Sequence, residues 1–301
     1  MPDAPPRVGP SEARREESLS PTDVIAHVVQ ELRPKLAAID TQRSSTTLLV
    51  FGGTELWTAV AASKVLRRMG TVGTLDVVLE SSGGDLDFAI KLYKMLRAHC
   101  TGKLTVVVPF WAKSAASLVA LSADDVLLTP YGELGPIDAQ VEDPETGEFV
   151  PAHSIGRAID FIEGTEDRSV KITLALKLSP MLIGGYLGVV SAGEQEVKEV
   201  CTRLAIKDPD AAVEALTSKY LSHGYPVTAE TLKDHGFPIR SLTIQESEPY
   251  MGLHDTYLPF LQIHEHGTHG ELLLPTVVQT ARYHAAVWDG KVVSEGPAAT
   301  E

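Results

Sequence analysis

Ser114 is the residue of this sequence whose type and setting best suit covalent chemistry. It follows the apolar run Leu104-Thr-Val-Val-Val108 and opens the apolar segment Ala115-Ala-Ser-Leu-Val-Ala-Leu121. A serine at the start of a helix sits among backbone N–H groups with no intrahelical acceptor, at the positive end of the helix dipole. The N–H of Ala115 can stabilise an oxyanion there, and the small residues Ala112, Ala115 and Ala116 let a peptide backbone approach. The same position also suits a plain N-cap serine, so the chemistry depends on companions.

The first companion is Glu80-Ser-Ser-Gly-Gly-Asp85, a Gly-Gly pair between an apolar strand and a helix. Gly83 and Gly84 offer accessible N–H donors that can cradle a phosphate or form an oxyanion hole. The segment lacks the Lys-Ser/Thr of a P-loop and the full G-x-G-x-x-G spacing. The second companion is Leu134-Gly-Pro-Ile-Asp138, a rigid segment ending in a carboxylate. A serine also needs a general base within hydrogen-bond reach. His223, in Ser222-His-Gly-Tyr-Pro226, can serve as one near neutral pH, and Asp138 can orient a base or stabilise a turn. Lys113 is adjacent in sequence to the serine, with a side chain expected to point away from its hydroxyl.

These residues need elements to hold them. The runs 47–51, 75–79, 104–108 and 126–128 read as strands. Segments 22–40, 57–69, 86–93 and 115–121 read as helices between them. Such alternation predicts βαβ units and a mainly parallel sheet, and near-continuous apolar strands fit a sheet covered on both faces. Residues 154–204 read as helical with a break at Ile183-Gly-Gly185, and 211–220 and 229–234 as further helices.

Composition narrows the functional classes. The chain has 301 residues, 44% hydrophobic and 22% charged, and a net charge of −14. That charge argues against a wide nucleic-acid-binding face, which needs concentrated Lys and Arg. No stretch approaches about 18 uninterrupted apolar residues, so no membrane span is expected. Residues 1–20 carry no apolar core of a signal peptide. Cys100 and Cys201 fit plain thiols in a reducing compartment. A cytoplasmic protein is expected. His264, His266 and His269 cluster with Glu265, but the spacing matches no firm zinc pattern and no Cys lies nearby. Neither a metal nor another cofactor is expected.

The run Val108-Pro-Phe-Trp-Ala-Lys-Ser-Ala-Ala-Ser-Leu-Val-Ala-Leu-Ser-Ala-Asp-Asp-Val126, followed by Glu133-Leu-Gly-Pro-Ile-Asp-Ala-Gln140, resembles the SDH (serine dehydrogenase proteinase) family of Clp-fold serine proteinases. These are relatives of signal peptide peptidase A and, more distantly, of the Clp proteolytic subunit. Tyr220-Leu-Ser-His-Gly-Tyr-Pro-Val227 resembles the family's C-terminal Ser-His-x-Tyr-Pro pattern, and the likeness spans roughly residues 45–240. The signal peptide peptidase register selects Ser114, because an Ala-Asp and a Pro then fall at Asp124 and Pro130. Ser117 matches the Clp-like spelling Ala-Ala-Ser and remains a second candidate. The resemblance implies an oxyanion hole of Gly83 and Gly84 with the N–H of Ala115. It also implies a base on a later helix, for which Lys171 and Lys177 lie in the right region beside His223. Two departures stand out: Ser-Ala-Ala replaces Ser-Gly-Gly after the nucleophile, and Ser-Gly-Gly replaces Pro-Gly-Gly in the oxyanion turn.

The resulting expectation is an α/β protein with a Clp/crotonase-type core of βαβ units and helical C-terminal elements. Residues 1–20 form a disordered tail, 21–245 the proteinase domain and 246–301 a C-terminal extension. The expected activity is peptide-bond hydrolysis through an acyl-enzyme on Ser114, with Lys177 or His223 as base. The substrate is a peptide or protein, and the chain forms a homo-oligomer, with helices 57–69 and 86–98 as interface elements by analogy. No nucleic-acid or membrane partner is expected. Crotonase-like acyl-CoA chemistry and a non-catalytic oligomeric interaction protein are the alternatives.

Overall fold

The central strands of this chain are largely apolar because both of their faces are covered. The computed structural model describes residues 21–142, 147, 149–220, 222–261, 276–288 and 291–297. The expected tail at 1–20 and the histidine cluster at 264–269 lie outside the described residues. The parallel core is built from β1 (Thr46–Phe51), β2 (Leu75–Glu80), β3 (Leu104–Val108), β5 (Asp125–Leu128) and β9 (Ile239–Ser241). Short strands β4 (Trp111–Ala112) and β6 (Glu133–Leu134) pair beside it, and β7 (Gln140–Glu142) pairs with β8 (Phe149–Pro151). Every residue of β2 and β3 is buried.

One face of the sheet is covered by α1 (Pro21–Arg43) and α10 (Ile244–Leu261), which bury Leu32, Leu36, Leu253 and Tyr257 against Leu49, Phe51 and Val107. The other is covered by α2 (Leu56–Met69), α3 (Leu86–Ala98) and α4 (Ala115–Leu121), with Leu66, Leu92 and Leu118 packed against Leu48, Val77 and Val106. Alternate residues of each strand therefore feed opposite cores, as period-two side-chain alternation requires. The remaining helices are α5 (Ser154–Gly164), α6 (Arg168–Ala175), α7 (Pro180–Arg203), α8 (Pro209–Thr217) and α9 (Ala229–Asp234).

Two differences from the expected elements have clear physical causes. The helical stretch 154–204 is interrupted at 165–167 and 176–179, while Gly184 and Gly185 lie inside α7. Asp167 caps α6 through the N–H groups of Ser169 and Val170, and Ser179 caps α7 ahead of Pro180. These N-caps and a proline in the first turn start new helices, and they outweigh a Gly pair. Secondly, α10 spans the boundary expected at 245/246. Strands β10 (Thr276–Gln279), β11 (Tyr283–Trp288) and β12 (Lys291–Pro297) then continue the central sheet. Among the described residues its order is β12-β11-β10-β1-β2-β3-β5-β9, with β10 antiparallel to β1. The Nε2 of the buried Gln279 on β10 donates to the carbonyl of Val29 on α1, 250 positions earlier.

No single helix among the described residues is long and apolar enough to cross a membrane. The bent pair α6 and α7, 71° apart, passes that test only when taken together.

Candidate active site

The loops that leave the carboxyl ends of β1, β2, β3 and β5 converge, which is where parallel α/β sheets place their ligand crevices. Ser114 stands at the junction of β4 and α4 with φ 51° and ψ −128°. A positive φ is strained for a residue with a Cβ and persists only where the surroundings enforce it. Here the N–H of Lys113 donates to Ser81 O at 2.9 Å, and the N–H of Ala116 donates to Lys113 O at 2.9 Å. The chain is thus pinned on both sides of Ser114, whose side chain makes no capping bond to α4.

Gly83 and Gly84 have φ values of 98° and 143°. A Cβ on Gly83 would come within 2.7 Å of both Lys113 O and Ser114 Cβ, so only glycine lets these two loops touch. The N–H of Thr54 donates to Gly83 O at 2.8 Å, and the N–H of Asp85 donates to Thr54 O at 2.9 Å. Successive amides of an extended segment point to opposite sides, so the N–H of Gly84 faces away from Thr54. Among the described residues no hydrogen bond engages the N–H of Gly84 or that of Ala115. Asp85 then caps α3 through the N–H groups of Asp87 and Phe88.

A cavity of about 700 Å³ opens beside Ser114, within the range of ordinary ligand sites. Its walls include Gly84, Asp85, Ser114, Ala115, Asp138 and His223, and its far side is a face of α7 carrying Gly185, Gly188 and Gly193. His223 Nδ1 lies 2.6 Å from Asp138 Oδ1; the imidazole is partly exposed and the carboxylate buried. The second oxygen of Asp138 is buried with no partner among the described residues, and so is Nε2 of His153. Burial holds the His153 imidazole below its ordinary pKa, Arg157 adds to that, and Asp138 opposes it.

The other sequence candidates lie elsewhere. Ser117 is fully buried; its Oγ is 2.6 Å from Ala112 O and 2.9 Å from Gly135 O, and it accepts the Gly135 N–H at 3.0 Å. Lys171 Nζ donates to Glu163 O at 2.7 Å. Lys177 follows α6 and borders a second cavity with Leu182, Ile183 and Tyr186. Among the described residues neither lysine borders the cavity that holds Ser114. Lys113 directs its ammonium to Glu133 and to the carbonyls of Leu134 and Gly224. Among the described residues no group of three or more His, Cys, Asp or Glu is placed to hold a metal ion.

Behind the Gly-Gly turn lies a pair that sequence reasoning missed. Glu80, at the end of β2, receives His254 Nδ1 from α10 at 2.8 and 2.9 Å from its two oxygens, and both side chains are buried. The His254 ring stacks on Phe110 at 5.1 Å. The Glu80 carboxylate raises the His254 pKa above its ordinary value. Glu80 stands in the Gly-Gly turn segment, but His254 belongs to no motif and no local spacing links the two.

The family profile of ClpP-like SDH-type serine proteinases matches residues 61–259. The chain belongs to this family. Two curated relatives come from Methanocaldococcus jannaschii. Uncharacterized protein MJ0137 is 26% identical over 186 residues, covering 60% of this chain and 58% of that one. Uncharacterized protein MJ1495 is 26% identical over 173 residues, covering 56% and 52%. The chain therefore spans little more than half the length of these relatives. Among solved structures, a mutant of the 1510-N membrane-bound stomatin-specific protease is similar at 11% identity and a TM-score of 0.44, covering 65% of this chain and 77% of that one. ClpP1 from Listeria monocytogenes is similar at 14% identity and a TM-score of 0.40, covering 71% and 95%. The family thus joins a ClpP-like serine proteinase to the mainly parallel α/β sheet described above.

Proposed function

We propose that this SDH-type proteinase hydrolyses peptide bonds with Ser114 as nucleophile, His223 as general base and Asp138 as the group that orients the imidazole. The observation that carries this reading is the 2.6 Å contact of His223 Nδ1 with Asp138 Oδ1 in the cavity that Ser114 also borders. A buried carboxylate on Nδ1 favours the tautomer with Nδ1–H, which leaves the Nε2 lone pair free to accept a proton. Ser114 Oγ then attacks the scissile carbonyl while its proton passes to His223 Nε2. The oxyanion is held by the N–H groups of Gly84 and Ala115, with Gly83 giving the turn its close approach. His223 returns the proton to the leaving amine, and water repeats the sequence to release the acyl group.

A peptide or protein substrate and assembly into a homo-oligomer belong to the same reading. The apolar side chains exposed along the segment from α5 to α7, among them Phe161, Met181 and Leu176 between α6 and α7, support contacts between copies. Two buried cysteines without a disulfide support a reducing, cytoplasmic setting. A fluorophosphonate probe tests the central claim: it should phosphonylate Ser114 Oγ with loss of fluoride in the intact protein, identified by peptide mapping, and leave Ser114→Ala untouched. An unlabelled Ser114 in active-site titration of the assembled protein would reject the reading.

A further inference from the structure

The Lys113 side chain is 16% exposed. Its stem crosses Gly135, where an added Cβ would come within 2.7 Å of Lys113 Cδ. Its ammonium contacts the Glu133 carboxylate and donates to Leu134 O and Gly224 O, each at 3.4 Å. An ammonium has three donors and no acceptor, and here the three oxygens come from two separate segments. Glu133 and Leu134 lead into the segment that carries Asp138, and Gly224 directly follows His223. The two segments also meet at Leu134 and Val227, which exchange backbone hydrogen bonds of 2.9 and 3.4 Å.

We propose that Lys113 is a positioning residue, a cationic clamp that fixes the His223 and Asp138 segments relative to the serine it precedes. The role rests on the assignment of Ser114, His223 and Asp138 above. Because Lys113 is bonded covalently to Ser114 and electrostatically to both other segments, it sets the spacing of all three groups. The loop needs such an anchor. Ser222, Gly224, Tyr225 and Pro226 are all exposed, and support from within the loop includes, among the described residues, the Tyr225 N–H on Ser222 O at 3.1 Å and the Tyr220–Tyr225 ring stack at 4.0 Å. Lys113 is thereby assigned to holding the base rather than to being one.

The test compares the full-length wild type with Lys113→Met and Glu133→Gln. A misplaced base slows chemistry more than it weakens binding, so Lys113→Met should lower kcat and the fluorophosphonate labelling rate by about 10- to 100-fold, with KM within about twofold. Glu133→Gln keeps an acceptor and should show a smaller loss in the same direction. The double variant should be no slower than Lys113→Met alone, because both changes act on one clamp. Proton NMR of the His223 Nδ1–H, bridged to Asp138, reads the clamp without any turnover; the signal should be sharp in wild type and lost or broadened in Lys113→Met. Unchanged labelling and an unchanged signal in Lys113→Met would overturn the clamp. If Lys113→Met does not fold, Glu133→Gln decides, and wild-type kcat with a wild-type signal there rejects it. If wild type fails to label while the signal still depends on Lys113, the nucleophile assignment fails and the clamp stands.

Discussion

His223 and Asp138 are 85 positions apart in the chain, yet Nδ1 of one lies 2.6 Å from Oδ1 of the other. That contact makes the identity of the carboxylate testable. Asp138→Asn keeps the shape but can donate its amide proton to Nδ1, which moves the imidazole proton to Nε2 and removes the acceptor. Activity should fall by about 10³- to 10⁴-fold with the fold retained, measured as kcat alongside circular dichroism.

The two serines of the Ser-Ala-Ala-Ser run should behave oppositely on substitution. Ser114→Gly relieves a positive φ and should raise stability by about 1 kcal/mol while abolishing probe labelling. Ser117→Ala removes the buried hydroxyl that binds Ala112 O and Gly135 O and leaves the Gly135 N–H only its longer 3.2 Å bond to Ala112 O, and it should cost about 1 kcal/mol. Urea unfolding of both variants, read with probe labelling, separates nucleophile from pin.

Gly83→Ala sets a Cβ against Lys113 O and Ser114 Cβ in a backbone of φ 98°. The substitution should destabilise by about 1–3 kcal/mol and move Ser114 away from the amides opposite it. Loss of labelling with a lowered urea midpoint is the expected result.

The Glu80–His254 pair should make stability depend on pH. His254 titrates above its ordinary 6.5 because Glu80 accepts its Nδ1–H. Burial raises Glu80 above 4.5, against the opposing pull of His254. A group with a raised folded pKa contributes fully below its unfolded value and loses that contribution as pH rises through the folded one. The His254 contribution is therefore intact below 6.5 and declines at higher pH; the Glu80 shift has the same sign, starting from 4.5. His254→Gln should flatten the fall in Tm between neutral and alkaline pH, checked by calorimetry across that range.

The sequence was legible where burial writes a continuous pattern. β1, β2 and β3 are covered on both faces, so their apolar runs and the Gly, Ser or Pro residues that end them could be read directly. Gly83 and Gly84 stand where positive φ favours glycine, whereas nothing in the residue type of Ser114 encodes its own positive φ. The interruptions within 154–204 fall away from the expected break at Ile183-Gly-Gly185 because the caps at Asp167 and Ser179-Pro180 outweigh a Gly pair inside a helix. The strands after residue 275 were obscure because β11 and β12 are only partly buried and β10 pairs with β1, which is remote in sequence. The pairing of His223 with Asp138, like that of His254 with Glu80, depends on how distant segments fold together, which no local spacing encodes.

The bond from Gln279 to Val29 has a consequence for the newborn chain. The strand beside β1 is β10, which leaves the ribosome long after it, so one edge of β1 is uncovered until β10 emerges. Contacts of such long span form slowly, and an uncovered apolar edge invites pairing with other chains. A helper that shields this edge before β10 emerges should therefore matter more to the yield of native protein than one that acts once the two strands have paired.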